Sequence, residues 1–90
     1  MKTAFRTSFN RDLKAISDKK ILLEVEKVII KIEACENLNS IKNLKKMAGE
    51  GGFFRIKVKD YRIGLLLDYH EVTLVRCLQR KDMYKYFPPK

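Results

Sequence analysis

Apolar positions recur along this chain with two different periods, and the change of period divides it. Between residues 19 and 36, Ile21, Val25, Val28, Ile32 and Cys35 follow one another at spacings of four and three, and Leu22 and Ile29 widen the stripe. That spacing predicts an amphipathic helix with Lys20, Glu24, Lys27, Lys31 and Glu33 on its outer side. Ser17 and Asp18 precede it and offer an N-cap. Glu24, Glu26, Glu33 and Glu36 break up its basic face, which marks it as a core-packing helix and not a membrane-surface one. Upstream, Phe9, Leu13 and Ile16 are spaced as in a short helix over 9–16, and the loose alternation of residues 2–8 suits a short strand. Residues 37–40 read as a loop. Residues 41–47 read as at most two helical turns with Ile41, Leu44 and Met47 inward, and 49–52 as a glycine-rich connection.

Beyond residue 52 the period becomes two. Phe54, Ile56 and Val58 alternate with Arg55, Lys57 and Lys59, so one side of a strand is apolar and the other cationic. Three strands are predicted, over 53–59, 61–68 and 71–79, joined tightly enough to form an antiparallel meander. The second, Arg-Ile-Gly-Leu-Leu-Leu, is apolar on both faces and belongs at the centre. After Arg80 the chain can make one or two helical turns before Pro88 and Pro89 end them. The expected fold is α+β, a single domain over residues 1–90. A small antiparallel sheet in the order β-α-α-β-β-β, followed by a short C-terminal helix, has the N-terminal helix pair packed on one face.

Charge then narrows the function. With 20 Lys and Arg against 11 Asp and Glu, the 90-residue chain carries +9, which concerns partners and not fold. Nucleic acid, an anionic membrane surface or an acidic protein would suit it. No apolar run approaches the roughly 20 residues that span a bilayer, and the charged N-terminus does not resemble a signal peptide, so a cytoplasmic protein without membrane attachment is expected. Cys35 and Cys77 are expected as buried free thiols. With His70 they are too few for a zinc site, so no metal and no cofactor is expected.

The cations gather on the predicted open face of the sheet. Arg55, Lys57 and Lys59 lie on the first meander strand, Arg62 on the second, and Arg76 and Arg80 share a parity on or just past the third. Tyr84 and Tyr86 follow. Cations beside aromatic rings suit single-stranded nucleic acid, the former holding phosphates and the latter stacking on bases. Like charges this close are costly unless an anion joins them, and RNA phosphate is the anion expected.

These stretches also resemble a known family. Phe-Arg-Ile-Lys-Val-Lys-Asp-Tyr-Arg-Ile-Gly, then Leu-Gln-Arg-Lys-Asp-Met-Tyr some 15 residues later, with Phe-x-x-Asp-Leu-Lys at 9–14, is similar to the RelE/ParE superfamily of toxins. The resemblance covers nearly the whole chain. It implies one half of a type II toxin–antitoxin pair, with an acidic antitoxin encoded next door. RelE-type members cut messenger RNA on the ribosome without a metal, the 2′-hydroxyl attacking the adjacent phosphate to leave a cyclic phosphate. ParE-type members poison DNA gyrase instead.

Carried over by motif, Arg55 and Lys57 match two basic strand positions of the RelE-type site. Arg62 matches the arginine that steadies the scissile phosphate, Arg80 the one near the leaving group, and Tyr84 the aromatic that orients or stacks on the substrate. Arginine is a poor base, so Lys57 is the candidate to take the 2′-hydroxyl proton. The catalytic set is thus Lys57, Arg62, Arg80 and Tyr84, with Arg55, Lys59, Arg76 and Tyr86 as RNA-binding residues. Two positions depart from the family. Lys59 replaces a turn glycine, and Gln79, which cannot act as acid or base, stands where many relatives have histidine. His70 is expected in an exposed turn away from the cations. The expected function is a ribosome-dependent endoribonuclease toxin with mRNA, the ribosome and an antitoxin as partners. The alternatives are a gyrase-inhibiting toxin and a catalytically inactive member that binds RNA or a partner.

Overall fold

The computed structural model describes residues 1–47, 49 and 51–89. The elements run β1 (Lys2–Phe5), α1 (Thr7–Ala15), α2 (Lys19–Ala34), β2 (Leu44–Lys46), β3 (Phe53–Val58), β4 (Tyr61–Asp68), β5 (Glu71–Gln79) and α3 (Arg80–Tyr86). They form an α+β fold around one five-stranded sheet in the order β1-β5-β4-β3-β2, with β4 at its centre. α2 begins where its cap was expected: the Asp18 carboxylate accepts the Lys20 N–H at 2.9 Å. Among the described residues, no helix is long and apolar enough to cross a membrane, and no group of three or more His, Cys, Asp or Glu could hold a metal ion.

The period-two segment folds as its pattern dictates. β3 pairs antiparallel with β4, Val58 facing Tyr61, and β4 with β5, Asp68 facing Glu71. The first residue of each two-residue connection, Lys59 and Tyr69, takes a left-handed φ of 53° and 55°. Lys59 therefore adopts the turn conformation usually left to glycine, at a steric cost of about 1 kcal/mol. His70 is exposed in the second turn.

Other expectations are corrected. The sheet is not wholly antiparallel: β1 runs parallel to β5, from Lys2 opposite Glu71 to Phe5 opposite Leu74. Residues 41–47 do not form helical turns. A 3-10 turn at Leu38–Ser40 and a left-handed Asn43 (φ 64°) lead into β2, which pairs with β3. A three-residue strand has too few positions to show a period, and its hydrogen bonds to β3 decide its state. The first strand ends at Phe5 and α1 starts at Thr7, two residues before the first apolar contact at Phe9. α2 ends at Ala34, and Cys35 is only half-buried, whereas Cys77 is buried. The connection expected at 49–52 includes Glu50, which lies outside the described residues.

The main core lies between the helix pair and one sheet face. Phe9 of α1 and Ile21, Val25 and Ile32 of α2 pack on Ile56, Val58, Ile63, Leu65, Val72, Leu74 and Cys77. The opposite face is not left open along its whole length. α3 covers half of it, seating Met83 and Phe87 on Val75 with Phe53, Leu66, Leu78 and Met47 around them. Gly64 makes this close approach possible, since a Cβ there would lie 2.7 Å from the Phe87 ring.

Candidate nucleic-acid interface

The uncovered half of that second face carries the cations. Arg55 faces Lys45 of β2 on one side and Gly64 of β4 on the other, and Lys57 faces Arg62. Because side chains alternate along a strand, Arg55 and Lys57 project away from the core that holds Ile56 and Val58. A shallow basin of about 280 Å³ results, lined by Asn43, Leu44, Lys45, Arg55, Lys57 and Arg62. Among the described residues, none of Lys45, Arg55, Lys57, Arg62 or Arg80 has a carboxylate partner. Four cations at one opening, without a carboxylate partner among the described residues, concentrate positive charge of the kind that attracts a polyanion.

Each wall has a structural reason. The Arg62 guanidinium donates from one Nη1 to the carbonyls of Lys59 (2.8 Å) and Tyr61 (2.9 Å), which braces it against the hairpin. β2 is anchored beside Lys57, whose N–H donates to the Asn43 carbonyl at 3.2 Å. α3 is pinned at its start by the Arg80 N–H, which donates to the Asp60 carbonyl of the same hairpin at 2.8 Å. The hairpin at 59–60 thus fixes both Arg62 and Arg80.

Tyr84 rises from α3 at the basin's edge, 62% exposed. Its hydroxyl accepts from Arg55 Nη1 at 3.2 Å, and the Arg55 guanidinium carbon lies 5.6 Å from the ring centre. Hydrogen bonding from Arg55, then from Arg80, lowers the Tyr84 phenol from its ordinary pKa of 10.0. Arg55 and Tyr84 therefore meet although 29 residues separate them, with Arg80 one turn before Tyr84 on α3.

The remaining expected site residues are placed differently. Lys59 sits in the turn, its side chain exposed and its carbonyl turned to Arg62. Arg76 lies opposite Gly64, but its guanidinium is bound to Asp12 of α1 through Nε–Oδ2 at 2.7 Å and Nη2–Oδ1 at 3.1 Å. That hydrogen bond, with the charge of Asp12, raises the Arg76 pKa against the opposing effect of burial. Tyr86 lies against Arg76, at 5.8 Å from its guanidinium carbon, and not against the basin. Gln79 is exposed at the start of α3 and makes no side-chain cap there. Lys45 was absent from the sequence-based set because residues 41–47 read as helical. The alternation Leu44 inward, Lys45 outward carries the signal, but two positions do not make a period.

No protein-family model matches the chain. Toxin RelE3 of Methanocaldococcus jannaschii is 37% identical over 93 aligned residues, covering 98% of this chain and 100% of that protein. A chain of the RelB–RelE antitoxin–toxin complex of Methanococcus jannaschii superposes with a TM-score of 0.82 at 30% identity, covering 94% of this chain and 99% of that one. A chain of the archaeal RelE–RelB complex of Pyrococcus horikoshii shares the fold at a TM-score of 0.72 and 15% identity, with 88% and 93% covered. The sequence match over nearly the full length, on a fold that carries the same element order, shows that this chain belongs to the RelE family of toxins from toxin–antitoxin systems.

Proposed function

We propose that this protein, acting as one domain in the cytoplasm, arrests translation by cutting messenger RNA on the ribosome. The observation that carries this reading is the meeting of Arg55, Lys57 and Arg62 on one sheet face with Arg80 and Tyr84 of α3. Lys57 takes the proton of the 2′-hydroxyl as its oxygen bonds to phosphorus. Arg62, with Arg55 behind it, stabilises the charge of the phosphorane. Arg80 hydrogen-bonds the 5′ oxygen as the P–O5′ bond breaks, that oxygen takes its proton from a solvent water, and Tyr84 orients or stacks on the flanking base. The products are a 2′,3′-cyclic phosphate and a 5′-hydroxyl. The cations supply the charge neutralisation this chemistry needs.

A shallow, open basin holds a flexible RNA strand poorly by itself. Dependence on the ribosome follows, because a strand already held in a fixed conformation loses less freedom on entering the site. The basic face also supports an acidic antitoxin as partner, and the RelB–RelE complexes among the structural neighbours support the same pairing.

Induced expression in a bacterial host, with primer extension on a translated messenger, tests the reading. New 5′ ends inside the translated region that disappear in Lys57→Ala and Arg80→Ala are the expected result. Growth arrest without such ends, together with trapped gyrase–DNA cleavage complexes, would overturn it in favour of a gyrase-binding toxin.

A further inference from the structure

α3 carries Arg80 and sets Tyr84 against Arg55 at the edge of the basin, but has few means of holding its own position. Its seven residues are too few for a stable isolated helix, and its N-cap residue Gln79 contributes no side-chain cap. Two apolar side chains, Met83 and Phe87, seat it on the sheet. Its two tyrosines each lie against a guanidinium, Tyr84 on Arg55 and Tyr86 on Arg76.

The two guanidinium contacts are not equivalent. Arg55 stands in the basin with no carboxylate partner among the described residues. Arg76 is clamped from behind by both carboxylate oxygens of Asp12, and Asp12 is itself fixed by the Cys77 N–H at 2.9 Å. Asp12 reaches this position because β1 ends opposite Leu74, leaving the edge of β5 beyond it to α1. There Ser8 donates to the Val75 carbonyl at 2.6 Å, and Asp12, one turn further along, accepts from Cys77. A planar guanidinium that commits its edge to a carboxylate keeps its face for a ring. The pair is only partly accessible, with 26% of the Arg76 side chain and 10% of the Asp12 side chain exposed.

We propose that Asp12 and Arg76 form a latch between α1 and α3 that holds Tyr86, and through it keeps Arg80 and Tyr84 at the edge of the basin. Asp12 and Arg76 are positioning residues for the cleavage reaction, and the inference rests on the cleavage reading for that consequence alone. The charge of Arg76 is satisfied within the protein, so it is not an RNA phosphate contact.

The test uses the full chain with Asp12→Asn, which removes the carboxylate charge yet can still accept the Cys77 N–H, so the strand edge survives. Three readouts are taken: hydrogen exchange of the Phe87 amide, which donates to Met83 at the end of α3; titration of Tyr84 followed by carbon-labelled tyrosine NMR; and single-turnover cleavage on programmed ribosomes. Phe87 exchange should quicken about tenfold or more while the Ile63 amide is unchanged. The Tyr84 titration should move up toward its ordinary value as α3 carries it away from Arg55, and cleavage should slow. Arg76→Gln should give the same three changes, and the double variant should be no worse than either single one.

Unchanged Phe87 exchange and Tyr84 titration in both single variants would overturn the latch, even if cleavage were lost. So would RNA binding whose salt slope falls by about one in Arg76→Gln while Asp12→Asn binds more tightly, because Arg76 would then be a phosphate contact. If the unaltered protein cuts no messenger, the cleavage reading falls, while exchange and titration still decide the latch. Tyr86→Phe keeps the ring and should keep Phe87 protected, whereas Tyr86→Ala should not.

Discussion

Among the described residues, thirteen buried side chains form one continuous cluster on the side of the sheet covered by α1 and α2. On the side covered by α3 there are three: Val75, Met83 and Phe87. Apolar burial stabilises by roughly 25 cal/mol per Å², so the first face supplies most of the fold's stability and the second little beyond the docking of a short helix. The difference teaches why unpaired cations collect where they do. A face that contributes little packing can carry Lys45, Arg55, Lys57 and Arg62 without disrupting a core, and α3 can present Arg80 and Tyr84 beside them.

Substitutions on the two faces should therefore behave differently. Ile63, fully buried against the helix pair, should lose about 2–5 kcal/mol of stability as Ile63→Ala, read by urea unfolding as one cooperative shift. A comparable loss from a residue of the cationic face would break the contrast between the faces. Cys77 tests the same core through pH. Burial pushes its thiol from 9.0 up to about 12, so the folded state keeps a proton that the unfolded chain gives up. Its contribution is complete below pH 9 and is lost as pH rises from there through about 12. Over that window stability should fall by up to about 1.4 kcal/mol per pH unit from this one group, and Cys77→Val should flatten that part of the profile.

Gly64→Ala probes the thin face. Its new methyl meets the Phe87 ring, and the expected cost of about 1–3 kcal/mol should appear as undocking of α3. Exchange should quicken in residues 80–87 while the amides of β4 and β5 stay protected. Global unfolding would mean that α3 and the main core form one unit. The smallest effect is expected from Lys57→Ala and Lys45→Ala. Each should leave the unfolding free energy within about 0.5 kcal/mol, yet weaken RNA binding and lower its salt slope by about one.

The long patterns were legible in the sequence and the short or distant ones were not. α2 shows five apolar positions on one stripe, and β3, β4 and β5 alternate or run apolar over six to nine residues, so local chemistry and tertiary packing agree. β2 has three residues and owes its state to β3. The parallel pairing of β1 with β5 joins Lys2 to Glu71, and nothing in either segment announces the other. Within the candidate site, strand parity placed Arg55 and Lys57 on one face. The same rule could not show that Arg76 is bound to Asp12, 64 residues away. A shift of register between Gly64 and Leu65 also puts Val75 and Arg76 together on the α3 side, a break in alternation that no residue type signals.

The parallel pairing has a further consequence for how the protein is made. During synthesis β1 emerges well before the strand it joins, and Arg80 and Tyr84 follow that strand. The earlier segments can collapse around α2 and the first hairpin, yet β1 has no partner until β5 is complete. Assembly of the sheet and completion of the basin are thus late events in the life of each chain. A half-made molecule carries Arg55, Lys57 and Arg62 without the helix that sets Tyr84 against them, which leaves time for a partner to meet these cations before the proposed site is complete.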